Sequence, residues 1–399
     1  KWYLIDFWNE TFFSKKAEDV VPKYKAMVER RLNLKMDVEH VYELHALGYL
    51  PISIKALKEG SRVNIGVPVL AIRNTLPKFF WLTNYLETVL SAELWKSCVS
   101  ATLAYELRKL VNHYADKTGC RGEFQCFQGH DFSMRGLSGL HDSMHVSGHL
   151  LSFKGTDTVP SIDYIEEYYP ATTQDYFVAG SIPATEHSVM CMGGKETEIE
   201  TLRRLIHDVY PSGPVSIVSD TWDFWKVITE FASELKDEII SRDGKVVFRP
   251  DSGDPVKILT GYTDDEMVEL DGIFHIKNKD GSAGKRLSGC EIKGAVEVLW
   301  DVFGGTLSDL GYKRICSAVG LIYGDSINLD RANQILSRLE AKGFTSDNVV
   351  FGVGSYTYQY QTRDTFGFAV KSTYGEIDGV PQVIFKDPVT DDGVKKSTF

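Results

Sequence analysis

The sequence predicts an α/β protein: a parallel sheet, open or closed into a barrel, joined to a second, α+β region. Three observations lead there. After Gly119, short β-type runs alternate with amphipathic helical segments, as βα units require. Those runs end alike, at Thr156-Asp157, Glu186-His187, Ser219-Asp220, Arg249-Pro250-Asp251, Gly324-Asp325 and Gly352-Val353-Gly354-Ser355. Before Gly119 the texture differs, with mixed helical and β signals and then one long helical stretch.

In chain order, "GYLPISI" and "VNIGVPVLAI" read as strands of the α+β region. Leu86, Leu90, Leu94, Val99, Leu103, Leu107 and Val111 keep helical spacing over about 83–117, and Thr118-Gly119 supplies the stop. Strand-like "LLSFKGTDTV" and "SIPATEHS" follow. A helix over 196–210 comes next, with Ile199, Leu202, Ile206 and Val209 on one face. "PVSIVSD" precedes a helix near 222–240 carrying Phe224, Ile228, Phe231, Leu235 and Ile239, which leads to "VVFRPDSG". The pattern closes with a helix at 291–303, "GLIYGDSI", a helix from Asp330 to Lys342 ended by Gly343, and "NVVFGVGS". Carboxyl ends of parallel strands open on one face, where ligands bind, so the repeated polar endings mark a site.

With 399 residues, 43% of them hydrophobic, the chain can bury one large core and a smaller one. A formal net charge of -11 with no long basic cluster excludes a general nucleic-acid binder. Cys98, Cys120, Cys126, Cys191, Cys290 and Cys316 make no CxxC pair, which suits free thiols in the cytosol. No apolar run has the length or continuity of a membrane span, and no secretory signal opens the chain. It begins at Lys1, inside a helical pattern.

Each candidate motif has a bland counterpart. Arg249-Pro250-Asp251-Ser252-Gly253 taken alone is turn chemistry, whereas aspartates recurring at equivalent strand ends suit sugar hydroxyls or Mg²⁺. His187 follows Glu186, whose carboxylate could fix its tautomer or stabilise its cation; otherwise it is a structural histidine. "FGVGSYT" could cradle a phosphate on backbone N–H groups, but Thr357 takes the third glycine position of a dinucleotide fingerprint. His141, His145 and His149, four apart, would line one helical face as metal ligands, although Gly148 weakens that helix and no metal is assigned. Phe132 and Arg135 read by default as a core aromatic and a surface charge.

"HDFSMRG", "KGTDTV", "SIPATEHS", "PVSIVSD", "FRPDSGDP", "YGDSI", "FGVGS", "TRDTFGFAVK" and "FKDP" stand in the order seen in the nicotinamide phosphoribosyltransferases. The sequence resembles that family over nearly its whole length, more densely after Gly129. The resemblance implies the irregular α/β barrel of type II phosphoribosyltransferases, over 126–364, with an α+β domain from 1–125 plus 365–399. It implies transfer of phosphoribose from phosphoribosyl pyrophosphate to nicotinamide in NAD salvage, with Mg²⁺, a cytoplasmic homodimer with shared sites, and ATP as co-substrate.

Residue by residue, the resemblance has Phe132 stack on the pyridine ring beside Arg135. Asp157 accepts from the carboxamide, and Ser181, Ser216 and Arg249 line the ring pocket. His187 is the histidine phosphorylated by ATP, with Asp220 beside it, and these two with Asp251 are the catalytic set. Arg249, Asp251, Gly324 and Asp325 hold the ribose, and Gly354 and Ser355 its 5′-phosphate. Arg363, Lys371 and Lys386 reach phosphate oxygens from the partner. Ser355 stands where the family often has glycine and keeps the backbone N–H. The family's first segment, with a second stacking aromatic and a basic phosphate ligand, would precede Lys1, and the expectation is that it was omitted. A nicotinate phosphoribosyltransferase, or an inactive homologue that binds or signals, is the alternative. A sugar-phosphate isomerase or aldolase would want a lysine at the strand ends, and there is none.

Overall fold

The computed structural model describes residues 2–169, 176–324, 326–385 and 388–390. Backbone packing divides the chain into one unit of residues 1–96 with 363–399 and a second of 97–362. The division falls within the helix Leu82–Thr118.

In the first unit, helices Trp2–Trp8, Ala17–Leu32 and Glu39–Leu47 accompany an antiparallel pair, β1 (Ile52–Ala56) and β2 (Leu70–Asn74). Leu44, Phe79, Leu82, Leu86 and Leu90 form its buried cluster. A hairpin, Tyr374–Ile377 with Val380–Val383, turns at Asp378-Gly379, both with positive φ, the two-residue turn that matches strand twist.

The second unit contains β3 (Gly129–Asp131), β4 (Gly155–Thr156), β5 (Val215–Val218), β6 (Val246–Arg249), β7 (Met267–Leu270), β8 (Ile273–Lys277), β9 (Ala283–Arg286), β10 (Gly305–Leu307), β11 (Lys313–Ile315), β12 (Val319–Tyr323) and β13 (Val350–Val353). Six form one wholly parallel sheet in the order β4-β3-β13-β12-β6-β5. Its two edges meet through the segment 180–184. Gly180 bridges Gly155 on β4, and Ala184 bridges Ser216 on β5, both in parallel sense. Gly180 N–H donates to Lys154 O at 2.9 Å, and Ser216 N–H donates to Pro183 O at 2.8 Å. The sheet is therefore an irregular closed barrel whose seventh stave, "SIPATEHS", holds by single bridges. Pro183 has no N–H to give a ladder, which keeps that stave from regular pairing.

Val215, Ile217, Val246, Phe248, Val319, Leu321, Phe351 and Val353 are buried because parallel strands of this kind are covered on both faces. The cover includes Ala295–Phe303, which buries Val296, Val298 and Leu299, and Leu329–Ala341, which buries Ile335, Leu336 and Leu339. Asn328 caps the latter by accepting from Arg331 N–H at 2.9 Å, and Gly343 follows it with φ +77°.

The expected single helices are interrupted. That at 196–210 is Glu198–Arg204 followed by a π turn, Leu205–Val209, and that near 222–240 has a π turn at Val227–Phe231 and a break at Leu235. A π turn takes more residues than 3.6, so Val209 rotates off the apolar face and is 43% exposed while Ile206 is buried. The antiparallel sheet β7-β8-β9 went unpredicted because its strands are short and partly polar. Its turn did carry a signal, Asp271-Gly272, again with positive φ at both residues.

Candidate functional site

The strand ends gather as the polar endings predicted. Beyond β3, Phe132 N–H donates to Val353 O at 2.9 Å, so the ring candidate is tied to the end of β13. Asp131 is buried; its carboxylate accepts from Ser133 N–H at 2.9 Å and from Thr156 Oγ1 at 3.2 Å, which locks the β3 and β4 ends together. Arg135 is exposed on the turn Met134–Gly136.

Beyond β4 stands Asp157. The next helix, Val159–Tyr168, has Thr158 at its N-cap and no side-chain cap bond. Asp157 Oδ1 instead lies 3.0 Å from His130 Nε2, and Ser181 Oγ, from the irregular stave, is 3.4 Å from the same nitrogen. Burial pushes the Asp157 carboxyl up, but hydrogen bonds from His130 and Ser181 and the charges of His130 and Arg249 outweigh it, leaving its pKa below the ordinary range.

The second focus is His187, first residue of the helix His187–Gly193. Its Nε2 lies 3.2 Å from Asp220 Oδ1 beyond β5, the imidazole being 49% exposed and the carboxylate 4%. Asp220, not the neighbouring Glu186, is therefore the carboxylate on His187; Glu186 projects from an exposed N-cap position. Asp220 Oδ2 accepts from Asp251 N–H at 2.8 Å, Ser252 N–H at 2.8 Å and Ser252 Oγ–H at 2.6 Å. Burial raises its pKa, yet the Ser252 hydroxyl, the two backbone donors and His187 lower it further, so it stays ionised. An ionised carboxylate only accepts, which puts the His187 proton on Nε2 and leaves the lone pair on Nδ1.

This pair explains why β6 ends in Arg249-Pro250-Asp251-Ser252. The turn's N–H groups hold Asp220, while Arg249 Nη2 donates to Thr185 O at 2.8 Å and its Nε stands 3.7 Å from Asp251 Oδ1. Gly324, after β12, donates to Pro250 O at 3.2 Å, and a Cβ there would lie 1.9 Å from Asp251 Oδ1. Gly352 on β13 is equally constrained, since its Cβ would lie 2.6 Å from Tyr323 O. After β13, Gly354 is the N-cap of the short helix Ser355–Gln359, and Ser355 packs against Gly136, where a Cβ would lie 2.2 Å from Ser355 Oγ. Ser216 Oγ on β5 is buried with no hydrogen-bond partner among the described residues.

Not every candidate belongs to this face. Asp325 and Lys386 lie outside the described residues. Arg363 and Lys371 belong to the first unit, both exposed, with the Arg363 guanidinium 3.3 Å from Asp364 Oδ1. The three-histidine face forms only in part: the His141 and His145 rings stand 4.9 Å apart, but His149 does not join them. His149 is fully buried in the 3₁₀ segment His145–Leu151, where its Nε2 lies 3.1 Å from Gly155 O and its Nδ1 2.7 Å from Tyr358 Oη. A carbonyl accepts only, so His149 carries its proton on Nε2 and both nitrogens are engaged; burial pushes its pKa down. His130, Thr185 and Ser252 were missed by sequence reasoning, although each stands within two residues of a singled-out residue.

A closed parallel barrel with ionised carboxylates, an arginine and a histidine at its strand ends defines an α/β-barrel enzyme acting on a polar small molecule. Residues 127–398 match the model of the nicotinate phosphoribosyltransferase (NAPRTase) family. The nicotinamide phosphoribosyltransferase of Acinetobacter baylyi is 56% identical over 99% of this chain and 75% of its own length. Those of Mycoplasma pneumoniae and Xanthomonas campestris pv. campestris are 34% and 33% identical, over 86% and 87% of this chain and 69% and 66% of theirs. A solved structure, nicotinate-nucleotide pyrophosphorylase from Pyrococcus furiosus, superposes with a TM-score of 0.46 at 15% identity, over 81% of this chain and 61% of that one. The chain belongs to the nicotinate phosphoribosyltransferase family.

Proposed function

We propose that this chain is a nicotinamide phosphoribosyltransferase, making nicotinamide mononucleotide and pyrophosphate from nicotinamide and phosphoribosyl pyrophosphate. The observation that carries the choice of base is the ionised Asp157, bonded to the same His130 whose ring packs on Phe132: it can accept from a carboxamide NH₂ and repels a carboxylate. The buried, unpartnered Ser216 Oγ supplies a further polar contact for the ring pocket, with Ser181 at its edge. Reaction at the anomeric carbon needs the ring nitrogen placed, the ribose fixed and the charge on departing pyrophosphate absorbed. Asp251, positioned by Arg249, Gly324 and the Asp220 turn, suits the ribose hydroxyls, with Asp325 its expected neighbour. Gly354 and Ser355 offer N–H groups to the 5′-phosphate.

Both oxygens of Asp220 are engaged, so Mg²⁺ would be held on the substrate's pyrophosphate with Asp251 as the adjacent carboxylate, supplying charge neutralisation there. ATP would phosphorylate His187: Nδ1 attacks the γ-phosphorus, the bond to the bridging oxygen breaks, ADP leaves, and Asp220 stabilises the cationic ring. Arg363, Lys371 and Lys386 would serve the site of a second copy in a cytoplasmic homodimer. Among the described residues, no helix is long and apolar enough to cross a membrane.

One assay tests the activity: nicotinamide or nicotinate with phosphoribosyl pyrophosphate and Mg²⁺, with and without ATP. The mononucleotide of nicotinamide is expected, and turnover of nicotinate alone would refute the choice of base. For the dimer, mixing Arg363→Ala with Asp251→Ala subunits should restore activity through hybrids with one intact site; no recovery despite subunit exchange would place both residues in one chain's site. A third expectation concerns Gly324→Ala. The new methyl displaces a carboxylate rather than backbone, so the protein should fold while kcat/KM falls roughly 10²-fold, as a misplaced positioning group does. Unaltered kcat/KM would remove Asp251 from the ribose clamp.

A further inference from the structure

We infer that His130 is a positioning residue that sets base selectivity: it anchors the Asp157 carboxylate and braces the Phe132 ring, so that the two groups meeting the base are held as one unit. The inference rests on the proposed use of nicotinamide and deepens it. His130 lies in β3, two residues before Phe132, and its side chain is 12% exposed. Its Nε2 is 3.0 Å from Asp157 Oδ1. Its ring lies 4.5 Å from the Phe132 ring at a 37° tilt. Gly155 on β4 leaves room for it, because a Cβ there would stand 2.7 Å from His130 Nδ1.

The ionised Asp157 can only accept, so His130 donates from Nε2. A charge-assisted bond of this kind fixes the carboxylate in direction as well as in charge. Anchoring one oxygen determines where the other points, and Asp157, 43% exposed, has no backbone cap to do this instead. The groups around the imidazole are Asp157 and Ser181 at Nε2, Phe132 on its face and Gly155 at Nδ1, with Asp131 and His149 in the buried layer nearby. Asp157 is thus the charged group bonded to it, and the loss of His130 is felt first there.

The test compares wild type, His130→Ala and His130→Gln with both bases, and adds ¹⁵N-histidine spectra of wild type and Asp157→Asn. In His130→Ala, KM for nicotinamide should rise roughly tenfold with kcat within about threefold, and the preference over nicotinate should shrink by a similar factor. Glutamine carries an amide donor near the position of Nε2 and should recover most of the preference. The resonance that His130→Gln removes identifies His130, and its Nε2–H signal should move in Asp157→Asn, because a charge-assisted bond becomes a neutral one. An unchanged base ratio in His130→Ala overturns the inference, as does glutamine falling as far as alanine, or an Nε2–H signal that ignores Asp157. The spectra need neither turnover nor a stable alanine variant. A wild type that fails to use nicotinamide would overturn the proposed function, while the Nε2–H signal still decides whether His130 is bonded to Asp157.

Discussion

Asp157→Asn is expected to lower kcat/KM for nicotinamide and raise that for nicotinate relative to it, shifting the ratio by roughly 10². A carboxamide NH₂ donates to an ionised carboxylate with a net gain of about 1.5–3 kcal/mol, whereas a substrate carboxylate meets like charge. Asp157 is 43% exposed, which screens the repulsion and puts the expected shift well below what a fully desolvated site could reach. The charge itself is secure at neutral pH, because His130, Ser181 and Arg249 depress the pKa more than burial raises it. Asparagine keeps the size and an acceptor oxygen, so a general loss of stability would lower both bases alike. Steady-state kcat/KM for the two bases on folded variant protein separates the cases, and an unmoved ratio excludes Asp157 from base selection.

His187→Ala should abolish ATP-dependent labelling altogether, the largest effect expected of any single side chain. Wild-type protein with γ-labelled ATP and Mg²⁺ should acquire an acid-labile phosphate, since Nδ1 holds the lone pair and Asp220 the Nε2 proton. Asp220→Asn should label weakly: the amide oxygen can still accept from Nε2–H, but the counter-charge for the phosphorylated ring is gone. Synthesis without ATP should continue in His187→Ala at a reduced rate, because the groups proposed for the ring and ribose lie on other strand ends. Full labelling of His187→Ala would place the phosphate elsewhere.

Much of the barrel was legible because its strands are buried on both faces and so appear as continuous apolar runs, and because each run ends where the chain enters a site. The helices were legible through their period, but not their π turns: Ile206 stayed on the buried face and Val209 did not, since adding a residue to a turn depends on packing that no local pattern records. The stave at 180–184 looked like an ordinary strand, but Pro183 within it has no N–H to give, and only single bridges form on either side.

At the site, the sequence by itself determined which residue types stand at the strand ends, and with them the presence of Asp157, His187, Asp220, Arg249 and Asp251 on one face. Their pairing was decided only in three dimensions. His187 has a glutamate as its neighbour in sequence and an aspartate 33 positions away as its partner in space, because parallel strands bring their ends together whatever the separation along the chain. Asp157 likewise takes as its partner His130, 27 positions back. His149 keeps the spacing of a metal ligand and is sealed in the core by Tyr358 and Gly155. Spacing along a chain states which groups a fold can use; burial and the direction of each hydrogen bond settle what they do, and both are properties of the packed structure.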